Sequence, residues 1–73
     1  MTIVVCLENS TAAMQFERAA NANNIPGRLI PAPRDLQVSC GLAWASPIGY
    51  EAAVLVLAET IPHGVIARRP WEL

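Results

Sequence analysis

The chain has 73 residues and a formal net charge of -1, a size that predicts one domain over residues 1–73 with a single small core. Its five basic residues form no long run, which excludes the basic surface typical of proteins that bind nucleic acid or an anionic membrane. Hydrophobic residues make up 53% of the chain, so we expect part of the apolar surface to lie in a partner interface or a homo-oligomer.

The first predicted elements are a strand and a helix. Thr2 to Leu7 (TIVVCL) is β-branched and apolar, which predicts a buried strand. The following helix can be capped by Asn9 or Ser10 and ends within the polar residues 21–24. Its apolar stripe at helical spacing consists of Ala13, Phe16 and Ala20, with Met14 at the margin.

Two further strands follow. Pro26-Gly27 is typical of a turn, and Arg28 to Ala32 predicts the second strand. Residues 33–40 are expected to form a loop, and Gly41 to Ala45 (GLAWA) predicts the third strand.

The last part of the chain predicts a second helix and a short fourth strand. Ser46 and Pro47 fit the N-cap and first position of the helix, where the missing N–H of proline does no harm. The apolar stripe of this helix consists of Val54, Leu57, Ala58 and Ile61. Residues 62–64 (PHG) end the helix, and Val65 to Arg68 predicts the strand.

The element order predicts an α+β, ferredoxin-like β-α-β-β-α-β fold. Such chains form a four-stranded antiparallel sheet in the order 4-1-3-2, with two helices on one face. The end of the first strand, the start of the first helix and the connection between strands 2 and 3 then share one edge of the sheet. We therefore expect Cys6, Ser10 and Cys40 to converge there.

A thiol at this edge has features that favour reactivity. The helix N-terminus and the Arg34 guanidinium would each lower the pKa of the thiol and raise the thiolate fraction. Gly41 permits close approach of another molecule, and Pro33 stiffens the loop. Cys40 could attack a disulfide, hold sulfur or selenium, or bind a soft metal. The alternative is that Cys40 is a small packing residue, and this alternative is stronger for Cys6, inside an apolar strand.

Other classes of function find little support in the sequence. A closed zinc site needs four Cys or His ligands, and His63 is the only histidine, so no metal and no cofactor is predicted. Phosphate-binding glycine loops and nucleophile-base motifs are missing, which favours a carrier or accessory protein over an independent enzyme. The apolar run Ala52 to Ala58 is too short to span a membrane, and we expect a cytoplasmic protein.

The segments Pro31-Ala-Pro-Arg34 and Ser39-Cys40-Gly41-Leu42-Ala43 resemble those of very small prokaryotic proteins described as selenium/sulfur carrier-like. The resemblance covers nearly the whole chain. It implies that Cys40 is the carrier thiol and that Pro33, Arg34 and Gly41 belong to the loop that presents it. The chain differs at residues 9–12, which lack the His and acidic residue expected near the start of the first helix in such proteins.

The leading hypothesis is a carrier that takes sulfur or selenium on Cys40, as a persulfide or selenosulfide, from a donor such as a cysteine desulfurase. An acceptor enzyme would then receive it. Arg34 and the Gly41 amide would stabilise the anion, and Cys6 is a candidate second thiol. The residues expected to dock a partner are Pro33, Leu36, Ser39, Leu42 and Trp44.

Two alternatives remain open. One is a non-catalytic ferredoxin-like interaction or ligand-sensing module that dimerises, with Cys40 as a structural residue. The other is a soft-metal chaperone that uses Cys6 and Cys40, although the paired cysteine motif usual in copper chaperones of this fold is missing. Fast reaction of Cys40 with a thiol reagent under native conditions would favour the carrier.

Overall fold

The computed structural model describes residues 1–36 and 41–72. The elements are β1 (Thr2–Leu7), α1 (Ser10–Ala22), β2 (Arg28–Pro31), β3 (Leu42–Pro47), a 3-10 turn (Ile48–Tyr50), α2 (Glu51–Ala58) and β4 (His63–Arg69). The strands form one antiparallel sheet in the order β2-β3-β1-β4, which is the predicted order 4-1-3-2 read in reverse. The predicted α+β ferredoxin-like fold is confirmed.

The central strand β1 is buried on both faces of the sheet. All six of its residues are buried. Because side chains alternate along a strand, Ile3 and Val5 face the helices, while Val4 and Cys6 lie on the opposite side. We call the side of the sheet turned away from the helices the second face; its buried apolar residues are Val4, Cys6 and Ala43.

The larger core lies between the sheet and the two helices. Phe16 of α1 packs on Trp44 of β3, with ring centroids 5.8 Å apart at an interplanar angle of 38°. The other buried members of this core are Ile3, Val5, Leu7, Ala12, Ala13, Ala20, Ile25, Val54, Ala58 and Ile61. The N-terminus of α1 is capped by Asn9, whose Oδ1 accepts a hydrogen bond from the Ala12 amide at 2.7 Å. The predicted stripe of α1 is therefore correct except for Met14, which is 60% exposed.

Ser46 and Pro47 belong to β3, so the predicted start of the second helix is wrong. Thr2 pairs with Pro47 in the register of β1 and β3, and the Ile48 amide donates to the Met1 carbonyl at 3.0 Å. The Ser46 side chain is buried, where its hydroxyl donates to the Pro26 carbonyl at 2.8 Å. Sheet pairing and this buried hydrogen bond override the local capping pattern, and α2 begins only after the 3-10 turn.

Gly27 allows β2 to pack closely against β3. Its φ is +150°, and a Cβ at this position would lie 2.3 Å from the Ala45 carbonyl oxygen and 2.7 Å from Ser46 Oγ. A side chain here would collide with the backbone of the neighbouring strand.

The fourth strand is longer than the sequence predicts. β4 covers His63–Arg69 instead of Val65 to Arg68, because α2 already ends at Ala58 and a turn leads into the sheet. Leu7 pairs with His63, and the Glu8 amide donates to the Pro62 carbonyl at 3.3 Å. The start of β4 thus lies beside the end of β1.

Candidate functional site: one end of the sheet and its second face

One end of the sheet gathers the end of β1, the start of β3 and the connection between β2 and β3. Cys6 pairs with Ala43 across β1 and β3, and Pro31 pairs with Leu42 across β2 and β3. The first residue of α1 is Ser10, three residues after the last residue of β1. The strand register therefore creates the shared edge on which the candidate site depends.

The predicted carrier thiol, Cys40, lies outside the described residues, as does Ser39. Its role and its position relative to Cys6 and Ser10 stay predictions. The next residue, Gly41, is exposed and has a φ of 73°, in the left-handed region that residues with a Cβ rarely adopt. The Gly41 carbonyl accepts a hydrogen bond from the Ala32 amide at 2.8 Å, so the chain is fixed where it enters β3.

Cys6 is fully buried on the second face, with a relative exposure of 0%. It clusters with Val4 and Ala43, on the opposite side of the sheet from the helix α1. The partly buried side chains that pack against this cluster are Ile30, Ala32, Leu36 and Trp71. Cys6 and Ser10 thus lie at the same end of the sheet but on different faces, because strand side chains alternate.

The described part of the β2–β3 connection, residues 32–36, contains a turn and two charged side chains. The Leu36 amide donates to the carbonyl of half-buried Pro33 at 3.0 Å. Arg34 is exposed and makes no hydrogen bond or ion pair with the described residues. Asp35 Oδ2 accepts a hydrogen bond from Arg69 Nη2 of β4 at 2.5 Å. The connection is therefore linked to the far end of β4, a contact the sequence did not predict.

The residues expected to form one docking rim do not share one face of the sheet. Trp44 is only 1% exposed, and its Nε1 donates to Ser46 Oγ at 2.6 Å inside the core, so it offers no docking surface. Leu36 packs on the second face, whereas Leu42 packs against the helix-side core. The expectation of a rim that includes Trp44 is corrected for this reason.

The segment after β4 covers part of the second face, a placement that sequence reasoning did not predict. The Trp71 ring packs on the second face, and the Trp71 carbonyl accepts a hydrogen bond from Thr2 Oγ1 at 2.9 Å. A signal was available in the continuous apolar sequence of β1: a strand that is apolar on both sides needs a cover on both. The helices cover one face, so another apolar segment has to cover the other.

Strand β4 carries two further polar side chains, those of His63 and Arg68. His63 is half-buried, and its Nδ1 lies 2.9 Å from the Ile61 carbonyl oxygen. Arg68 donates to Glu51 of α2; this hydrogen bond, together with the Coulomb attraction of the carboxylate, raises the pKa of Arg68 above its ordinary value. Within residues 1–36 and 41–72, no group of His, Cys, Asp and Glu side chains is arranged to hold a metal ion.

A homo-oligomer, a cytoplasmic location and no membrane partner are the remaining expectations from the sequence. In residues 1–36 and 41–72, the large apolar side chains that are exposed are Met1, Met14, Tyr50, Val56 and Val65. The homo-oligomer and the cytoplasmic location stay predictions. In the part of the chain that the structure describes, neither α1 nor α2 has the length and apolar character needed to cross a membrane.

Comparison with known proteins adds one finding. Residues 2–64 match the family described as "Putative Se/S carrier protein-like". No curated protein and no solved structure matches the chain. The matched range ends just after the start of β4, so Arg69 and Trp71 lie beyond it. Since the match covers most of the 73 residues and includes Cys40, the chain belongs to the Se/S carrier protein-like family.

Proposed function

We propose that this protein carries sulfur or selenium on Cys40, as a persulfide or selenosulfide, between a donor and an acceptor enzyme. The observation that carries the proposal is the family match over residues 2–64, which includes Cys40 and the whole β2–β3 connection. The register of β1, β3 and β2 supports it, because the chain enters β3 at the end of the sheet where β1 also ends.

The transfer itself is an exchange of one sulfur–sulfur bond for another. The Cys40 thiolate attacks the outer sulfur of a persulfide on the donor. A bond forms between Cys40 Sγ and that sulfur while the donor's own sulfur–sulfur bond breaks, and the electron pair leaves with the donor thiolate. No external oxidant or reductant is consumed. A thiolate on the acceptor then takes the outer sulfur from Cys40 by the same step, and a selenium atom in that position follows the same balance.

Three residues of the connection would assist this exchange. Gly41 is exposed and has no side chain, so a partner thiol would meet little steric hindrance beside Cys40. Arg34 supplies an exposed positive charge, which would favour the thiolate and the persulfide anion. Pro33 would restrict the backbone next to Arg34. Exchange of this kind needs only a persulfide on the donor and a thiolate on the acceptor, so docking would determine which proteins exchange sulfur with Cys40.

Docking would use the described residues near this end that remain partly accessible. Pro33, Leu36 and Leu42 are each half-buried and lie in or beside the connection. With Ser39, they form the set of contacts that we propose for a donor such as a cysteine desulfurase and for the acceptor. Trp44 is left out because it is enclosed in the core.

The proposal is tested by intact-mass analysis after incubation with a cysteine desulfurase and cysteine. Wild type and Cys6→Ala should each gain at least one sulfur mass that dithiothreitol removes, and Cys40→Ser should gain none. A parallel reaction with selenocysteine and a selenocysteine lyase compares selenium with sulfur as the cargo. If wild type gains neither atom, or if Cys40→Ser gains as much as wild type, Cys40 is not the carrier residue.

A further inference from the structure

The second face of the sheet is covered by two segments that are far apart in sequence. One is residues 32–36 of the β2–β3 connection, whose Ala32 and Leu36 pack on the cluster around Cys6. The other is the tail, residues 70–72, whose Trp71 packs on the same cluster. The segment that carries Cys40 follows directly after the first of these.

The tail is attached to the centre of the sheet, and the end of β4 just before it is attached to the connection. Thr2 Oγ1 donates to the Trp71 carbonyl at 2.9 Å, which fixes the tail on β1. Arg69 Nη2 donates to Asp35 Oδ2 at 2.5 Å, which joins the end of β4 to the connection. The Arg69 side chain is 24% exposed, so its guanidinium is held against the protein surface rather than extended into water.

The exposure of this ion pair limits what it contributes to the fold. The Asp35 side chain is 69% exposed, and ion pairs with such exposure add little to the free energy of folding. The pair can nevertheless favour the position of residues 32–36 in which Asp35 lies beside Arg69. A contact of this kind changes the placement of a loop more than it changes the stability of the domain.

We propose that the Arg69–Asp35 ion pair and Trp71 form a clamp that positions residues 32–36, the part of the β2–β3 connection that precedes Cys40 in the sequence, and that this clamp assists transfer to and from Cys40. Arg69, Asp35 and Trp71 are positioning residues in this account, which rests on the proposed carrier function. The connection is fixed at its other described end by the hydrogen bond between Ala32 and Gly41. Two of the three clamp residues, Arg69 and Trp71, lie beyond the range matched by the family, whereas Asp35 lies within it.

The chain offers a matched control in the neighbouring ion pair. Arg68 also belongs to β4 and also pairs with a carboxylate, but its partner is Glu51 of α2. Arg68→Gln therefore removes one arginine and one exposed ion pair without touching the connection. A change in Cys40 reactivity that depends only on the net charge, or only on losing an arginine from β4, would occur in Arg68→Gln as well as in Arg69→Gln.

The experiment measures the reactivity of Cys40 in a Cys6→Ala background. Two quantities are recorded: the rate of sulfur loading from a desulfurase, and the pH–rate profile of alkylation by iodoacetamide. Positioning predicts that Arg69→Gln and Asp35→Asn both slow loading, by about two- to five-fold. The double variant with Asp35→Arg and Arg69→Asp should recover most of the loss. Trp71→Ala should slow loading, Trp71→Phe should restore it, and Arg68→Gln should stay near the starting rate.

A purely electrostatic effect has a different signature. Loss of the Arg69 charge would raise the thiol pKa, whereas loss of the Asp35 charge would lower it, so the two variants would shift the alkylation profile in opposite directions. Opposite shifts, failure of the reversed pair to recover, or an equal effect in Arg68→Gln would each overturn the clamp. If neither the starting protein nor any variant takes up sulfur, the carrier function fails. The clamp is then tested separately by whether the reversed ion pair recovers the alkylation rate of Cys40.

Discussion

Cys6 lies directly opposite Ala43 in the antiparallel pair of β1 and β3, and both side chains are fully buried on the second face. Ala43 is the third residue after Cys40 in the sequence. The register thus places Cys6 inside the sheet, whereas Cys40 is known only by its position in the sequence, within the connection before β3. Cys6 is part of the packing under this connection, so its reaction with a reagent requires the cover of the second face to open.

The first prediction concerns this protection of Cys6. The Cys40→Ser variant, which retains only Cys6, should react with iodoacetamide about 100-fold or more slowly in buffer than in denaturant, because its thiol is enclosed. Adding Trp71→Ala should raise the rate in buffer, since Trp71 forms part of the cover. Alkylation followed by intact mass gives both rates. Reaction of Cys40→Ser at the same rate with and without denaturant would contradict the buried position of Cys6.

The second prediction concerns the buried hydrogen bonds of Ser46. Its hydroxyl accepts from Trp44 Nε1 at 2.6 Å and donates to the Pro26 carbonyl at 2.8 Å. Ser46→Ala leaves the indole N–H without a partner and should lower the free energy of unfolding by about 1–3 kcal/mol.

A double-mutant cycle separates the hydrogen bond from other effects of these substitutions. Combining Ser46→Ala with Trp44→Phe removes donor and acceptor together. The double variant should therefore lose less free energy of unfolding than the sum of the losses in the two single variants. Urea unfolding followed by circular dichroism supplies the free energies. Full additivity of the two losses would show that the hydrogen bond between Trp44 and Ser46 contributes nothing to the free energy of unfolding.

The third prediction concerns the approach of β2 to β3 at Gly27. Gly27→Ala places a Cβ 2.3 Å from the Ala45 carbonyl oxygen and should destabilise the domain by about 2 kcal/mol or more. Gly49→Ala is the matched control, because a Cβ at Gly49 meets nothing within 4 Å. Thermal unfolding of both variants compares them. Equal midpoints for the two variants would contradict the close packing of these strands.

The fourth prediction concerns the backbone at Gly41. With a φ of 73°, Gly41→Ala should cost about 1–2 kcal/mol of stability although the site has room for a Cβ. Gly41→Asn should cost less, because asparagine tolerates the left-handed conformation. Under the carrier proposal, Gly41→Ala should also load sulfur more slowly than Gly41→Asn. Equal stability and equal loading in the two variants would show that the backbone conformation at Gly41 is unimportant.

The sequence predicts the sheet well because its strands have strong hydrophobic patterns. The bounds of β1 are those predicted, and the order of the four strands follows from the order of the elements. The start of the second helix was wrong because Ser46-Pro47 is a good local capping pattern, and local patterns contain no information about pairing with Thr2. Trp44 was expected partly as a docking residue, but its register on β3 turns it into the core.

The candidate site was predictable in part. The shared edge follows from topology, so the end of β1 and the connection between β2 and β3 could be placed together in advance. The pairing of Asp35 with Arg69 could not be predicted. The two residues are separated by 34 positions, and the contact depends on how the tail crosses the second face. Cys40 itself lies outside the described residues, and its role stays a prediction.

The measurement that tests the central claim most directly is peptide mapping of the loaded wild-type protein. The protein is incubated with a cysteine desulfurase and cysteine, separated from the donor, blocked with iodoacetamide and digested. The account predicts that the added sulfur is found on the peptide containing Cys40, with the Cys6 peptide unmodified by sulfur. Added sulfur on Cys6 alone, or on neither peptide while the donor turns over, would contradict the assignment of Cys40 as the carrier.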